Sequence, residues 1–197
     1  MPRTDRQKTA IDIVNGVAVE MSKKTITFVR RQELARQLTT VKGWLEEEFP
    51  PSVGVWRLPF LDGENYELGQ PWGYDPNYDG NTEHFHRGLD FLMPLGTMVC
   101  AVADGTVVIA GGGEPQGFPG AADGAWGNYV EIDHGNGTHS GYCHLAGLLA
   151  YPGQRVRAGQ PLGTVGMTGL TFGPHCHLQA LQGGVRVDPT PWLDKLT

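Results

Sequence analysis

Several things are scarce or missing from this chain of 197 residues, and each narrows what it can be. Cysteine occurs only as Cys100, Cys143 and Cys176. An odd count with no Cys-x-x-Cys pair argues against a disulfide framework and against a thiolate zinc site, so buried thiols are expected. No run approaches the roughly 18 apolar residues of a membrane span. Met1 to Arg6 is followed by no apolar stretch of a secretory leader, so delivery by some other route is expected. Positive charge is not in excess: the net charge is −6, which argues against a nucleic-acid partner. No lysine lies between Lys42 and Lys195.

Glycine, by contrast, is abundant, with 29 residues and neither a collagen period nor a low-complexity tract. That composition points to a β-rich protein with many turns. The glycines are unevenly placed: only Gly16 and Gly43 precede Pro50. Residues 1–48 carry a net charge of +2 and the remainder −8. The boundary at Pro50-Pro51 therefore separates an N-terminal appendage, 1–50, from a domain, 51–197. Within the appendage, Ile11, Ile13, Val17, Val19 and Met21 alternate around Asn15-Gly16, which predicts short strands over 11–29. Leu34, Leu38, Val41 and Leu45 form an apolar stripe that predicts a helix over 30–48. Beyond Val53, short β-branched runs such as Thr106 to Ile109 and Asn128 to Ile132 alternate with Gly, Pro, Asn and Asp, as in a sandwich or barrel. The stretch from Gly111 to Gly127 reads as a long loop.

The chemistry is concentrated in histidine. His175-Cys176-His177 is a His-x-His pair in a strand-like run, and residues i and i+2 of a strand face one side. His86 and Asp90 stand four apart with Gly88 between them, a neutral imidazole and a carboxylate suited to zinc. His144 lies in the apolar run Tyr142-Cys143-His144-Leu145. A catalytic zinc takes three protein ligands and keeps one position open. His86, Asp90 and one histidine of the His-x-His pair supply three, leaving two histidines beside the metal for proton transfer and oxyanion stabilisation.

Seven segments extend this pattern along the chain: His86-Arg87-Gly88-Leu89-Asp90-Phe91, Pro94-Leu95-Gly96-Thr97, Ala103-Asp104-Gly105-Thr106-Val107, Gly127-Asn128-Tyr129-Val130, Tyr142-Cys143-His144-Leu145, Gly166-Met167-Thr168-Gly169 and Gly173-Pro174-His175-Cys176-His177-Leu178. In order and spacing, residues 57–192 resemble the lysostaphin/LytM-type zinc metallopeptidases of the M23 family. The resemblance implies a mainly β fold, an antiparallel sheet or sandwich-like core with a groove formed by loops, here carrying a small N-terminal α+β appendage. It implies one Zn2+ held by His86, Asp90 and His177, with His144 and His175 as the catalytic pair. It implies endopeptidase cleavage of peptidoglycan stem or cross-linking peptides. One departure stands out. The stretch Trp72-Gly73-Tyr74-Asp75-Pro76 lacks the arginine that the family often has there, which leaves the subsite preference open but not the metal site.

Alternatives carry less of the sequence. A non-catalytic wall-binding or hydrolase-activating module of the same family would lack one of the five groups. A lipoyl or biotinyl carrier, which Val156 to Gly163 resembles, needs a lysine the β-rich region does not have. The predicted partners are a peptidoglycan peptide and, through residues 1–50, a protein such as a phage tail component. Action at the bacterial cell wall, after delivery in a virion or after release at lysis, is the expectation. His84 is expected in a loop, His134 and His139 are expected to be solvent-exposed near Gly135-Asn136-Gly137, and Tyr74, Tyr78 and Trp126 are candidates for the groove wall.

Overall fold

A computed structural model describes residues 57–74, 85–112 and 126–193, together with positions 12, 13, 16, 17, 20, 30, 33, 34 and 37 of the N-terminal region. The strands run in chain order as β1 (Glu67–Leu68), β2 (Gly73–Tyr74), β3 (Phe85–His86), β4 (Leu89–Leu92), β5 (Met98–Cys100), β6 (Gly105–Gly111), β7 (Asn128–Gly135), β8 (Thr138–Leu148), β9 (Arg155–Val156), β10 (Pro161–Val165), β11 (His175–Gln182) and β12 (Val185–Val187). The main sheet is ordered β1-β4-β11-β8-β7-β6-β9, with β12 on β11 and with β10 joining β8 to β5; every pair is antiparallel. β2 and β3 form a separate two-stranded ribbon.

The longest strands meet at the sequence's clearest turn. Gly135, Asn136 and Gly137 have φ of 87, 53 and 72°, the left-handed values that glycine and asparagine tolerate, and they reverse the chain between β7 and β8. Alternation then sorts the side chains. Leu89 and Phe91 of β4, Cys176 and Leu178 of β11, and Val130 and Ile132 of β7 all enter one apolar core with Val107, Tyr142, Leu145 and Leu162. Phe60, Tyr66 and Phe91 close one end of it, with ring centroids 4.7 to 5.5 Å apart. Cys100, Cys143 and Cys176 are buried thiols, as expected, and burial raises the thiol pKa values of Cys143 and Cys176.

The N-terminal region departs from its reading in one respect. Asp12, Ile13, Gly16, Val17 and Glu20 are helical, where alternation predicts strands. Ile13 and Val17 are four apart, so the residues that alternate also share one face of a helix, and a short window does not separate the two periods. Val17 is buried. Arg30, Glu33, Leu34 and Gln37 are helical, in keeping with the stripe predicted over 30–48. The Arg30 guanidinium grips Glu20 through two hydrogen bonds of 2.6 and 2.7 Å. The rest of both predicted segments lies outside the described residues.

Candidate active site

Four histidines and an aspartate meet where β3, β4, β8 and β11 adjoin. Because Cys176 and Leu178 turn into the core, their neighbours His175 and His177 turn to the other face. Register sets His177 opposite Asp90 of β4 on one side and opposite Cys143 of β8 on the other. Asp90 shares that face because Leu89 and Phe91, on either side of it, are core residues. The β2–β3 ribbon delivers His86, which pairs with Gly73.

Three donor atoms converge. His86 Nε2 lies 2.9 Å from His177 Nδ1 and 3.2 Å from Asp90 Oδ1, and His177 Nδ1 lies 2.8 Å from Asp90 Oδ1. All three residues are buried, and together they form a group able to hold a metal ion. Two imidazoles and one carboxylate, with one position left open, fit zinc. Protonation fits as well. The outer nitrogen of His86, Nδ1, donates to the Pro71 carbonyl at 2.9 Å, which leaves the Nε2 lone pair facing inward. Burial alone would raise the Asp90 carboxyl, but the imidazoles of His177 and His86 beside it outweigh burial and hold the group well below the usual carboxylate range. Burial lowers the pKa of His177 and so keeps its ring neutral. The glycine of His-x-Gly-x-Asp has a steric reason: a Cβ on Gly88 would stand 2.5 Å from Cε1 and Nε2 of His177.

The other two histidines face the same place from the opposite side. Pairing of β8 with β7 shifts by one residue between Tyr142 and Leu145, across His144, and its pairing with β10 shifts between Leu145 and Gly147. His144 itself has φ 61°, a left-handed backbone rare for a side chain of this size. Its Nδ1 donates to the Thr168 carbonyl at 2.8 Å, which turns Nε2 toward the cleft. His175 is held likewise, Nδ1 donating to the Gly173 carbonyl at 2.9 Å with Thr171 Oγ1 at 3.2 Å, while its Nε2 is 3.7 Å from Asp90 Oδ1. The rings of His144 and His175 are 4.7 Å apart, centroid to centroid. Burial, reinforced by His177, pulls the His144 pKa down to about 4, so the ring is a neutral base at neutral pH.

These five residues line a pocket of about 190 Å3, with Gln70, Trp126, Leu170, Thr171 and Phe172 completing it. Leu170 and Phe172 are 71% and 86% exposed on its rim. A larger cavity, about 530 Å3, lies at the β6–β9 edge of the sheet between Asp104, Asp133, His134, Arg155 and Arg157. Size does not select it over the smaller pocket, where the atoms able to hold a metal converge.

All five residues singled out in the sequence thus come together. Of the aromatic candidates, Trp126 lines the pocket, whereas Tyr74 is exposed and packs edge-on against Phe85 with centroids 4.8 Å apart. His134 and His139 are not solvent-exposed as expected. His134 is half-buried between the Asp104 carbonyl and Ser140 Oγ, each 2.7 Å away, and His139 bonds Glu131 at 2.8 Å. Tyr78, His84 and residues 113–125 of the long loop lie outside the described residues. The sequence reading passed over Gln70, Thr168 and Gln179. For Thr168 a signal existed, since it sits in one of the quoted segments, Gly166 to Gly169. Gln179 follows His177 by two residues on the same strand face and lies 3.2 Å from its Nε2.

Comparison with known proteins agrees with this geometry. The peptidoglycan DD-endopeptidase ShyA of Vibrio cholerae is 36% identical over 128 residues, which is 61% of this chain and 27% of that protein. A glycyl-glycine endopeptidase of Staphylococcus capitis is 35% identical over 134 residues, covering 66% of this chain and 34% of that one. The chain therefore spans about a quarter to a third of the length of these relatives. A crystal structure of a zinc-containing peptidase from Vibrio cholerae superposes with a TM-score of 0.56 at 27% identity, over 68% of this chain and 39% of that one. The profile of peptidase family M23 matches residues 84–189, more than half of the sequence and all five site residues, and the chain belongs to that family.

Proposed function

We propose that the protein is a zinc-dependent endopeptidase that hydrolyses peptide bonds in the cross-links or stem peptides of bacterial peptidoglycan. The observation that carries this reading is the convergence of His86 Nε2, Asp90 Oδ1 and His177 Nδ1 opposite two further histidines whose Nδ1 atoms are engaged elsewhere. Of the two relatives named above, one is a peptidoglycan DD-endopeptidase and the other a glycyl-glycine endopeptidase, and the non-catalytic alternative gains nothing from a complete set of five groups.

In this reading His86, Asp90 and His177 hold the zinc. When bound, zinc supplies a Lewis acid that polarises the scissile carbonyl and brings the pKa of water toward ~7. The chain's own residues do the rest. His144, neutral because burial disfavours its cation, accepts the proton of the attacking water at Nε2 and returns one to the leaving amine. His175, its Nδ1–H fixed on the Gly173 carbonyl, faces the developing oxyanion with Nε2 and stabilises it once protonated. The buried cleft excludes bulk water from these transfers. Residues 51–197 are the catalytic domain. Residues 1–50 are an appendage that docks on a protein partner or regulates the groove. Carriage in a phage virion, or release at lysis, is the proposed route to the wall, and detection of the protein in purified virions tests it.

The decisive assay measures new amino termini released from purified peptidoglycans of different cross-link chemistry, with His177→Ala and chelator-treated protein alongside. Metal-dependent release from one wall type establishes the activity, and mass spectrometry of the fragments names the bond. No release from any wall by protein with stoichiometric zinc would sink the proposal.

A further inference from the structure

The orientation of His144 depends on residues that touch neither the metal cradle nor the pocket. Thr168 stands in the turn that leads from β10 toward β11. Its carbonyl oxygen accepts Nδ1–H of His144 at 2.8 Å. Its hydroxyl donates to the Leu145 carbonyl at 2.9 Å and accepts the backbone N–H of Asn128, also at 2.9 Å. The Asn128 side-chain amide donates to the same Leu145 carbonyl at 2.9 Å, with the Ala146 carbonyl at 3.4 Å. Leu145 and Ala146 are the residues just after His144, where β8 slips register against both neighbours. The displaced carbonyls of this irregular stretch are therefore tied down by two side chains from outside the strand.

Sterics lock the arrangement. Gly127 has φ +59°, and a Cβ there would stand 2.3 Å from the carbonyl carbon of Thr168 and 2.4 Å from its oxygen, so the turn presses directly against this glycine. His144 adds its own demand. A non-glycine residue in a left-handed backbone is strained and persists only where its surroundings over-determine it. The hydrogen bonds at Leu145, Ala146 and Thr168 are such surroundings.

We propose that Thr168 and Asn128 are positioning residues for His144: they fix the Thr168 carbonyl as acceptor for Nδ1–H and hold the irregular backbone that aims Nε2 into the cleft. This rests on the role given to His144 above. Thr168→Val keeps the side chain's shape and removes both hydroxyl bonds. Displacing a reacting group by an ångström costs about 100-fold, so this variant is expected to lose about that in kcat on soluble cross-linked muropeptides. KM and zinc stoichiometry stay within about twofold of the parent, since neither substrate binding nor the cradle is touched. Thr168→Ser restores the hydroxyl and most of the rate. Asn128→Ala, which leaves Thr168 intact, loses about tenfold in the same sense, at the lower end of what outer-shell partners contribute, and carries the test should Thr168→Val not fold.

Long-range 15N–1H NMR of the zinc-loaded full chain supplies a readout apart from catalysis. His144 is expected as a single Nδ1–H tautomer in the parent and in Thr168→Ser, and as a tautomer mixture in Thr168→Val and Asn128→Ala. Unchanged tautomer and kcat in both disruptive variants would overturn the inference, as would joint loss of zinc, KM and kcat without rescue by serine. Should the parent cleave no wall peptide, the functional reading fails on its own account, while the tautomer comparison still decides the positioning role.

Discussion

Two regions of the sheet are rich in histidine and acid, yet only one is built for chemistry. At the β7–β8 hairpin, His134 has both ring nitrogens engaged, with the Asp104 carbonyl and Ser140 Oγ, and His139 lies between Glu131 and, 3.8 Å away, Asp133. At the β4–β11–β8 junction, His86, His144 and His175 each give Nδ1 to a protein oxygen and turn Nε2 toward a common point. The residue types are alike, although the junction histidines are buried and those of the hairpin only partly so. What separates the regions is whether the second nitrogen is satisfied. A histidine satisfied at both nitrogens is a structural strut; one anchored at Nδ1 and open at Nε2 is ready to bind a metal or move a proton.

Substitution at the two ends should expose this contrast. His177→Ala is expected to remove zinc and with it at least about 1,000-fold of the peptidoglycan cleavage rate, the several kcal/mol that a Lewis acid contributes to the transition state. His139→Ala, assayed by the same amino-terminal release, should stay within about twofold; an equal loss at both ends would erase the distinction. In the proposed mechanism His144→Ala removes a proton carrier and not a ligand. A fall of about 100- to 10,000-fold in kcat is expected, with zinc content by elemental analysis unchanged.

Acid should act on the junction through a definite sign. The His144 pKa is pulled from its ordinary value to about 4 by burial and by His177, so between pH 6.5 and 4 the unfolded chain binds protons that the folded site refuses. Above that window the group has no effect on stability; as pH falls through it, the metal-free protein loses roughly 3 kcal/mol from this residue. Thermal unfolding of chelator-treated protein measures this, and His144→Gln should flatten the slope. Burial also lowers the His134 pKa, so His134→Gln should flatten it too, but only for stability, with cleavage retained.

Gly88→Ala sets a Cβ against the His177 ring and is expected to weaken zinc binding by about 10- to 100-fold in a chelator competition, as loss of support around a ligand does. Gly135→Ala at the other end meets nothing within 4 Å. Its cost is backbone strain at φ +87°, about 1–2 kcal/mol of stability with zinc affinity unchanged. Smallest of all should be Glu131→Gln, which weakens a partly exposed pair with His139 by under about 1 kcal/mol in urea unfolding.

Much of the junction was legible because strand alternation has period two. His175 and His177 had to share a face, and Cys176 had to oppose them. The closeness of Asp90 to His177 was not legible from local spacing, since the two are 87 residues apart and only the β4–β11 register joins them. Family motifs supplied that link. His134 was misjudged because a glycine-rich turn signals exposure, whereas the Asp104 carbonyl that covers it comes from a strand connection 30 residues away and Ser140 from the facing strand of the hairpin. Thr168 was overlooked because the atom that meets His144 is a backbone carbonyl, which carries no side-chain signature. The N-terminal helix was mistaken for strands because alternation over a few residues also satisfies a four-residue repeat.

The span between Asp90 and His177 also bears on the order in which the molecule assembles. Ligands this distant in sequence meet only after β4 and β11 have found each other across the central part of the chain. A metal ion cannot nucleate that pairing as it does in a finger whose ligands are near neighbours. The core of Phe91, Leu178 and Tyr142 must close the loop first. The cradle is then a product of the folded sheet, so refolding should proceed in the presence of chelator, and zinc should arrive last, as a rivet through a seam already closed.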